Sequence, residues 1–215
     1  MKVWSRAIVL GIAYCICQGA NARDVAVDPL AIPVSKRMFP YGRAEAPIGY
    51  LDFCNANPVD CFPEGPVLER VALTAEKWKD LVALNKEINY AIKPISDTTL
   101  YGVIEHWTYP DTGRGDCEDY VLLKRRKLME LGWSQSALLI TVVRDENGEG
   151  HAVLTVRTTK GDFILDNKHS RISSWHRTPY VFIKRQSGKD PRQWVSLVPV
   201  EQSPTVSSAG VDWKD

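Results

Sequence analysis

The chain has no excess of charge of either sign: 27 Lys and Arg stand against 26 Asp and Glu, a formal +1 over 215 residues. A basic footprint for nucleic acid is therefore missing, and nucleic-acid binding is excluded as a primary role. No Gly-rich phosphate loop and no internal repeat occur, which removes a P-loop nucleotide site and a solenoid. Nor is there an apolar run long enough for a span of about 20 residues. The run Ala7 to Ala13 is short, follows Lys2 and Arg6, and precedes the small-x-small pattern Ala20-Asn21-Ala22. Residues 1–22 are accordingly expected to be a signal peptide removed on export, leaving a product with no stable membrane insertion. Cys15 and Cys17 follow Tyr14 and Ile16 rather than a small residue, which argues against lipoprotein processing.

Cysteine is also scarce. Loss of the leader takes Lys2, Arg6 and two of the five cysteines, leaving a formal charge of −1 with Cys54, Cys61 and Cys117. In an oxidising compartment the near pair Cys54 and Cys61 is expected to bridge. Cys117 is then the odd thiol, either reactive or buried.

The length and a hydrophobic fraction of 44% suit one domain with a sizeable core. Residues 23–66, dense in Pro and Gly, read as an extended N-terminal arm. Residues 67–201 read as the folded domain, and 202–215 as a flexible tail. Within the domain a weak strand is expected over Val67 to Val71. Thr74 caps a helix that carries Trp78, Leu81, Val82, Ile88 and Ile92 and ends near Pro94. A second helix runs from Asp116 to Leu131, with Gly132 as its stop. Cys117, Tyr120, Val121, Leu128 and Leu131 fall on one face, while Lys124 to Lys127 read as a solvated outer face that complements the dipole. The period then turns to alternation. Strands are expected over Ala137 to Val143, His151 to Arg157 and Phe163 to Asp166, followed by a hairpin of Tyr180 to Lys184 with Gln193 to Leu197. Helices first and antiparallel strands after them indicate an α+β fold.

The stretch Gly113-Arg114-Gly115-Asp116-Cys117-Glu118-Asp119-Tyr120 puts a cysteine in the first turn of a helix. Unpaired N–H groups and the dipole there lower a thiol pKa and can hold an oxyanion. A thiol nucleophile needs a base and a group to orient that base. Of the four histidines, His151 opens a strand behind the helix, and Asp166 ends the next strand, so the two can share one side of a hairpin. A turn centred on Thr158-Thr159 sets them opposite each other; one centred on Lys160-Gly161 staggers them by about four residues, roughly 13 Å. His106 reads as structural, and His169 and His176 as loop residues. Asp116, Glu118 and Asp119 crowd the thiol and should raise its pKa. They either cap the helix or, with a further ligand such as Asp97, bind a hard cation.

With Cys117, His151 and Asp166 in place, the chain resembles the bacterial transglutaminase-like cysteine proteinases, the family of LapG-type periplasmic proteases. The matching pieces are Gly115 to Tyr120 with Lys124 and Leu131-Gly132, then Gly150-His151-Ala152-Val153-Leu154, then Ile164-Leu165-Asp166-Asn167, within about residues 65–200. The resemblance implies a papain-like or transglutaminase-like fold with the Cys117 helix packed on the sheet, and a Cys-His-Asp triad. Cys117 would attack the peptide carbonyl, His151 would act as base and then acid, Asp166 would orient the imidazole, and the Cys117 N–H would donate to the oxyanion. It further implies periplasmic location, calcium held by Asp116 and Glu118, a substrate in the cell envelope such as a large biofilm adhesin, and a cyclic-di-GMP-linked inner-membrane receptor as regulator. The same residues could instead transfer an acyl group to an amine, as transglutaminases do, or survive in a non-enzymatic, calcium-steadied binding module.

Overall fold

The computed structural model describes residues 32–199; the expected leader (1–22) and the expected tail (202–215) lie outside the described residues. Its centre is a seven-stranded sheet with the order β1-β9-β8-β4-β5-β6-β7, in which every pair is antiparallel. The strands are β1 Gly42–Ala44, β4 Leu138–Arg144, β5 Gly150–Thr158, β6 Gly161–Leu165, β7 Ser173–Ser174, β8 Val181–Gln186 and β9 Trp194–Ser196. A separate two-stranded parallel ladder joins β2 Lys93–Pro94 to β3 Arg114–Gly115. The helices are α1 Ile48–Ala56, α2 Ala75–Ala91, α3 Asp97–Tyr101 and α4 Cys117–Glu130. None of the described helices is long and apolar enough to cross a membrane.

Alternation along the strands divides the core in two. Ala152, Leu154 and Val156 of β5 point to the side of α2 and α4, where Leu81, Ile88, Tyr120, Val121 and Leu128 meet them. Val153 points to the other side and joins Met38, Val143, Ile164, Tyr180 and Phe182. The helix-side cluster is the larger, and truncating a fully enclosed member such as Leu128 to Ala would cost about 2–5 kcal/mol.

Both long helices form where the periodicity places them. The Thr74 hydroxyl accepts the Lys77 N–H at 3.2 Å at the start of α2, a cap worth about 1 kcal/mol. Helix α4 starts at Cys117 with Asp116 as N-cap, and Gly132 follows its end at φ 79°, a left-handed conformation suited to glycine.

Other expectations are corrected. The described part of the arm is not merely extended: β1 is the edge strand beside β9, and α1 buries Tyr50 and Phe53 in the main core. Its local pattern hides this, because Pro47 and Pro58 flank a helix with a weak apolar stripe. Val67 to Val71 forms no strand, only a single bridge from Val71 to Thr158. Leu131 is 55% exposed, whereas Lys124 and Arg125, expected on the solvated face, are buried at 0% and 5% exposure. The Arg125 guanidinium donates to the Leu138 carbonyl at 3.1 Å and to the Asp60 carbonyl at 3.4 Å, so it ties α4 to β4 and to the arm. Cys54 and Cys61 are disulfide-bonded, and Cys117 is free.

Candidate active site

The β5–β6 register decides whether His151 and Asp166 can meet. Thr158 pairs with Gly161 and Leu154 with Leu165, so the turn centres on Thr159-Lys160, between the two alternatives. Extending that register by one pair puts Asp166 opposite Val153 and leaves His151 two residues away on the same face. Diagonal neighbours of this kind lie within reach of a long side chain. His151 Nε2 and Asp166 Oδ1 are 2.9 Å apart, with both side chains almost fully buried. Asp166 Oδ2 also accepts the Tyr180 hydroxyl at 2.5 Å, and Oδ1 accepts the Lys168 N–H at 2.9 Å. Burial pushes the Asp166 carboxyl up, but the hydrogen bonds from His151 and Tyr180 outweigh it and hold the group below the ordinary carboxylate value. With Nε2 engaged, Nδ1 is the imidazole nitrogen left for proton transfer.

Beyond Leu165 the β6 ladder stops, and the Ala152 N–H donates instead to Cys117 Sγ at 3.4 Å. The first residue of α4 thus sits at an open stretch of the β5 edge. Cys117 and His151 line one cleft of about 380 Å³, together with Glu118, Trp107, Glu105 and Lys184.

The β2–β3 ladder brings Asp97 to the same place. Lys93 N–H donates to the Gly113 carbonyl at 2.9 Å and Ile95 N–H to the Gly115 carbonyl at 3.0 Å, which lays the start of α3 beside the start of α4. The Asp97 N–H then donates to Asp116 Oδ2 at 3.1 Å. Asp97, Asp116 and Glu118 each offer one oxygen, all within 4.8 Å of one another. Asp97 Oδ2 accepts the His106 N–H, while Asp97 Oδ1 and Asp116 Oδ1 are buried without a partner among the described residues. Asp119 faces away to accept the Thr108 N–H at 2.9 Å, and a Cβ at Gly115 would run into its carboxylate. His106, His169 and His176 stand outside the cleft.

A family model described as bacterial transglutaminase-like cysteine proteinase (BTLCP) matches residues 40–202, more than half of the chain. The chain belongs to this family. It is a cysteine peptidase with an α+β, transglutaminase-like fold. No sequence among curated proteins matches it. Similar solved structures include LapG from Legionella pneumophila in its calcium-bound form, with a TM-score of 0.49, 21% identity, and coverage of 70% of this chain and 81% of that one. The EGTA-treated form of that LapG gives 0.47, 21%, 70% and 78%.

In this transglutaminase-like proteinase the surroundings of the thiol favour its neutral form. Burial raises the Cys117 pKa well above its usual value, and the Glu118 charge adds to that shift. The Cys117 S–H donates to Glu118 Oε2 at 3.0 Å. The carboxyls respond in the same sense: burial first, then the Asp116 charge, raises Glu118, and burial also raises Asp97. Burial first, and same-sign charge after it, favour the protonated forms in this corner.

Among contributors to the site, sequence reading did not assign Tyr180 a role, because it reaches Asp166 from the turn before β8 and no spacing announces that. Trp107 takes its place in the cleft wall by packing on Gly49 and Tyr50 of α1, a long-range contact that no spacing announces.

Proposed function

We propose that the protein is an exported, calcium-dependent cysteine endopeptidase that uses Cys117, His151 and Asp166 on a protein of the cell envelope. The observation that carries this reading is the His151–Asp166 bond of 2.9 Å at a cleft that Cys117 also lines.

The chemistry follows from the atoms present. Cys117 gives its proton to His151 Nδ1, and the imidazolium is stabilised through Nε2 by Asp166, which Tyr180 keeps ionised and oriented. The sulfur attacks the scissile carbonyl, whose oxygen gains negative charge near the first N–H groups of α4. Collapse expels the amine, which takes the proton from Nδ1, and leaves a thioester on Cys117. Water then attacks this thioester as His151 accepts its proton, and the proton returns to Cys117 as the acid departs.

The donor set Asp97, Asp116 and Glu118 is all oxygen, with two orphaned buried atoms, and it fits a hard cation such as calcium. A cation held there by Asp97, Asp116 and Glu118 would supply positive charge against the Glu118 and Asp116 carboxylates that help to hold the thiol up.

The test compares envelope proteins of cells that carry the wild-type chain with those of cells that carry Cys117→Ala. The wild type should generate new termini in at least one envelope protein, and Cys117→Ala should abolish them. Unchanged termini, together with alkylation of Cys117 no faster than that of a free thiol at neutral pH in calcium, would overturn the proposal. An isopeptide bond in place of new termini would identify acyl transfer to an amine.

A further inference from the structure

The sheet face opposite α2 and α4 holds a second concentration of charge. Arg157 on β5 pairs directly with Asp162 on β6, and Arg185 on β8 pairs with Thr141 on β4. By strand alternation all three charged side chains belong to the face of Val153 and Ile164. Arg70 reaches over the same face from the segment before α2. Asp162 is fully buried and already spoken for: Oδ1 accepts from Arg70 at 2.5 Å and Oδ2 accepts the Met38 N–H at 2.7 Å. The Arg185 guanidinium lies 3.9 Å from Oδ2, beyond hydrogen-bond reach, although Arg185 is only 4% exposed.

One buried carboxylate thus faces three guanidinium groups. The other acid at hand, Glu69, has an 80% exposed side chain and lies 3.9 Å from Arg157. Arg185 Nε and Nη1, Arg157 Nε and Arg70 Nε are buried without a hydrogen-bond partner among the described residues. Burial, and after it the charge of Arg157, pulls the Arg185 pKa down to about 10. These groups line a cleft of about 610 Å³ that Lys189 and Gly188 also border. Gly188 leaves room for Arg157, since a Cβ there would lie 2.7 Å from Nη1. Donors in excess, a surplus of positive charge and an adjoining cleft are the requirements for planar or tetrahedral oxyanion recognition.

We propose that Arg157 and Arg185 hold an oxyanion, a carboxylate or phosphate group, in this cleft, at a site separate from the thiol cleft. Arg157 lies six positions along β5 from His151, roughly 20 Å at strand rise, and Arg185, nearer in the sheet, points to the opposite face from its neighbour Lys184, which borders the thiol cleft. The site therefore recognises a charged group without taking part in bond cleavage.

Thermal unfolding and calorimetry of the mature protein test this with inorganic phosphate and with acetate, each against sodium chloride of equal ionic strength. Chelator is kept in every arm so that phosphate cannot act by withdrawing calcium. At least one of the two anions should give a saturable rise in Tm of several degrees and a measurable Kd. Phosphate alone, acetate alone or both would name the preferred group, and each of these results supports the site. Arg185→Gln should weaken binding at least tenfold and unfold no lower than wild type in chloride, because it removes an uncompensated buried charge. Should Arg185→Gln not fold, Arg157→Gln provides the same reading from a more accessible side chain. No response beyond that of chloride, or an undiminished response in the folded variant, would overturn the proposal.

Discussion

The corner in front of Cys117 and the sheet face beneath Met38 are electrostatic opposites built in different ways. At the first, three carboxylates converge from α3 and α4, anchored by the main-chain N–H groups of Asp97 and His106. At the second, guanidinium groups converge from three distant segments around one carboxylate whose acceptors are spent. Both clusters border a cleft. Lys124 supplies the contrast: it is fully buried, its Nζ has no hydrogen-bond partner among the described residues, and it lines neither cleft. Burial pulls its pKa down to about 7, against which the Asp166 charge acts only in part. A buried charge beside a cleft can be met by an ion from outside; one that is sealed in is met by loss of its own proton.

The largest expected effect comes from filling the acidic corner. A ligand that binds only the folded state at about 100 times its Kd stabilises by about 2.7 kcal/mol, and about 1 kcal/mol moves Tm by roughly 2–4 °C in a domain of this size. Saturating calcium should therefore raise Tm by about 5–11 °C, and chelation should reverse it. Asp97→Asn keeps an acceptor for the His106 N–H while losing the charge, and it should remove most of the rise. A full calcium response in Asp97→Asn would show that α3 is no part of the site.

How much of this was legible in the sequence depends on whether a feature is local. The Cys117 helix and the acids at its start could be read because the motif and the 3.6-residue period lie in one segment. Asp97 could only be nominated, since its position depends on the β2–β3 ladder, two residues long and with no signature. The His151–Asp166 meeting was left open because Thr158, Thr159, Lys160 and Gly161 permit several turns. The observed register adds the Thr158 hydroxyl bonded to the Gly161 carbonyl at 2.8 Å, with Gly161 at φ 108°. The arginine cluster was invisible: residues 70, 157 and 185 share no spacing, and each taken alone reads as a surface charge. Lys124 is the converse case: the four-residue interval from Tyr120 to Leu128 places it on the buried face of α4, and its charge alone argues for solvent.

Lys124→Met sharpens the contrast between clefts and sealed charge. The lysine has a folded pKa below its unfolded value, so the unfolded chain binds more protons between about pH 7 and the ordinary lysine range. Stability should rise with pH across that window, and the penalty should be complete below it. Replacement by an apolar side chain of similar length should stabilise by at least about 1 kcal/mol at pH 6. The gain should shrink toward pH 10. Urea melts at both pH values check this, and a gain that does not change with pH would mean that Lys124 keeps its proton.

The smallest expected effect is an absence of coupling between the two clefts. Along β5 roughly 20 Å separates His151 from Arg157, and no residue borders both clefts, although the adjacent β8 residues Lys184 and Arg185 border one each. Effects of distant sites with no shared partner add to within about 0.3–0.5 kcal/mol. The calcium-induced Tm rise should therefore be the same in Arg185→Gln as in wild type, and the anion response in chelator the same in Asp97→Asn. One structural route could break this: Asp162 and Asp166 lie four residues apart on or just beyond β6, one facing the arginines and the other His151. If the double variant deviates from additivity by more than about 1 kcal/mol, β6 is transmitting a shift from the arginine cluster to the His151–Asp166 pair. Anion binding would then act on the catalytic end of the sheet.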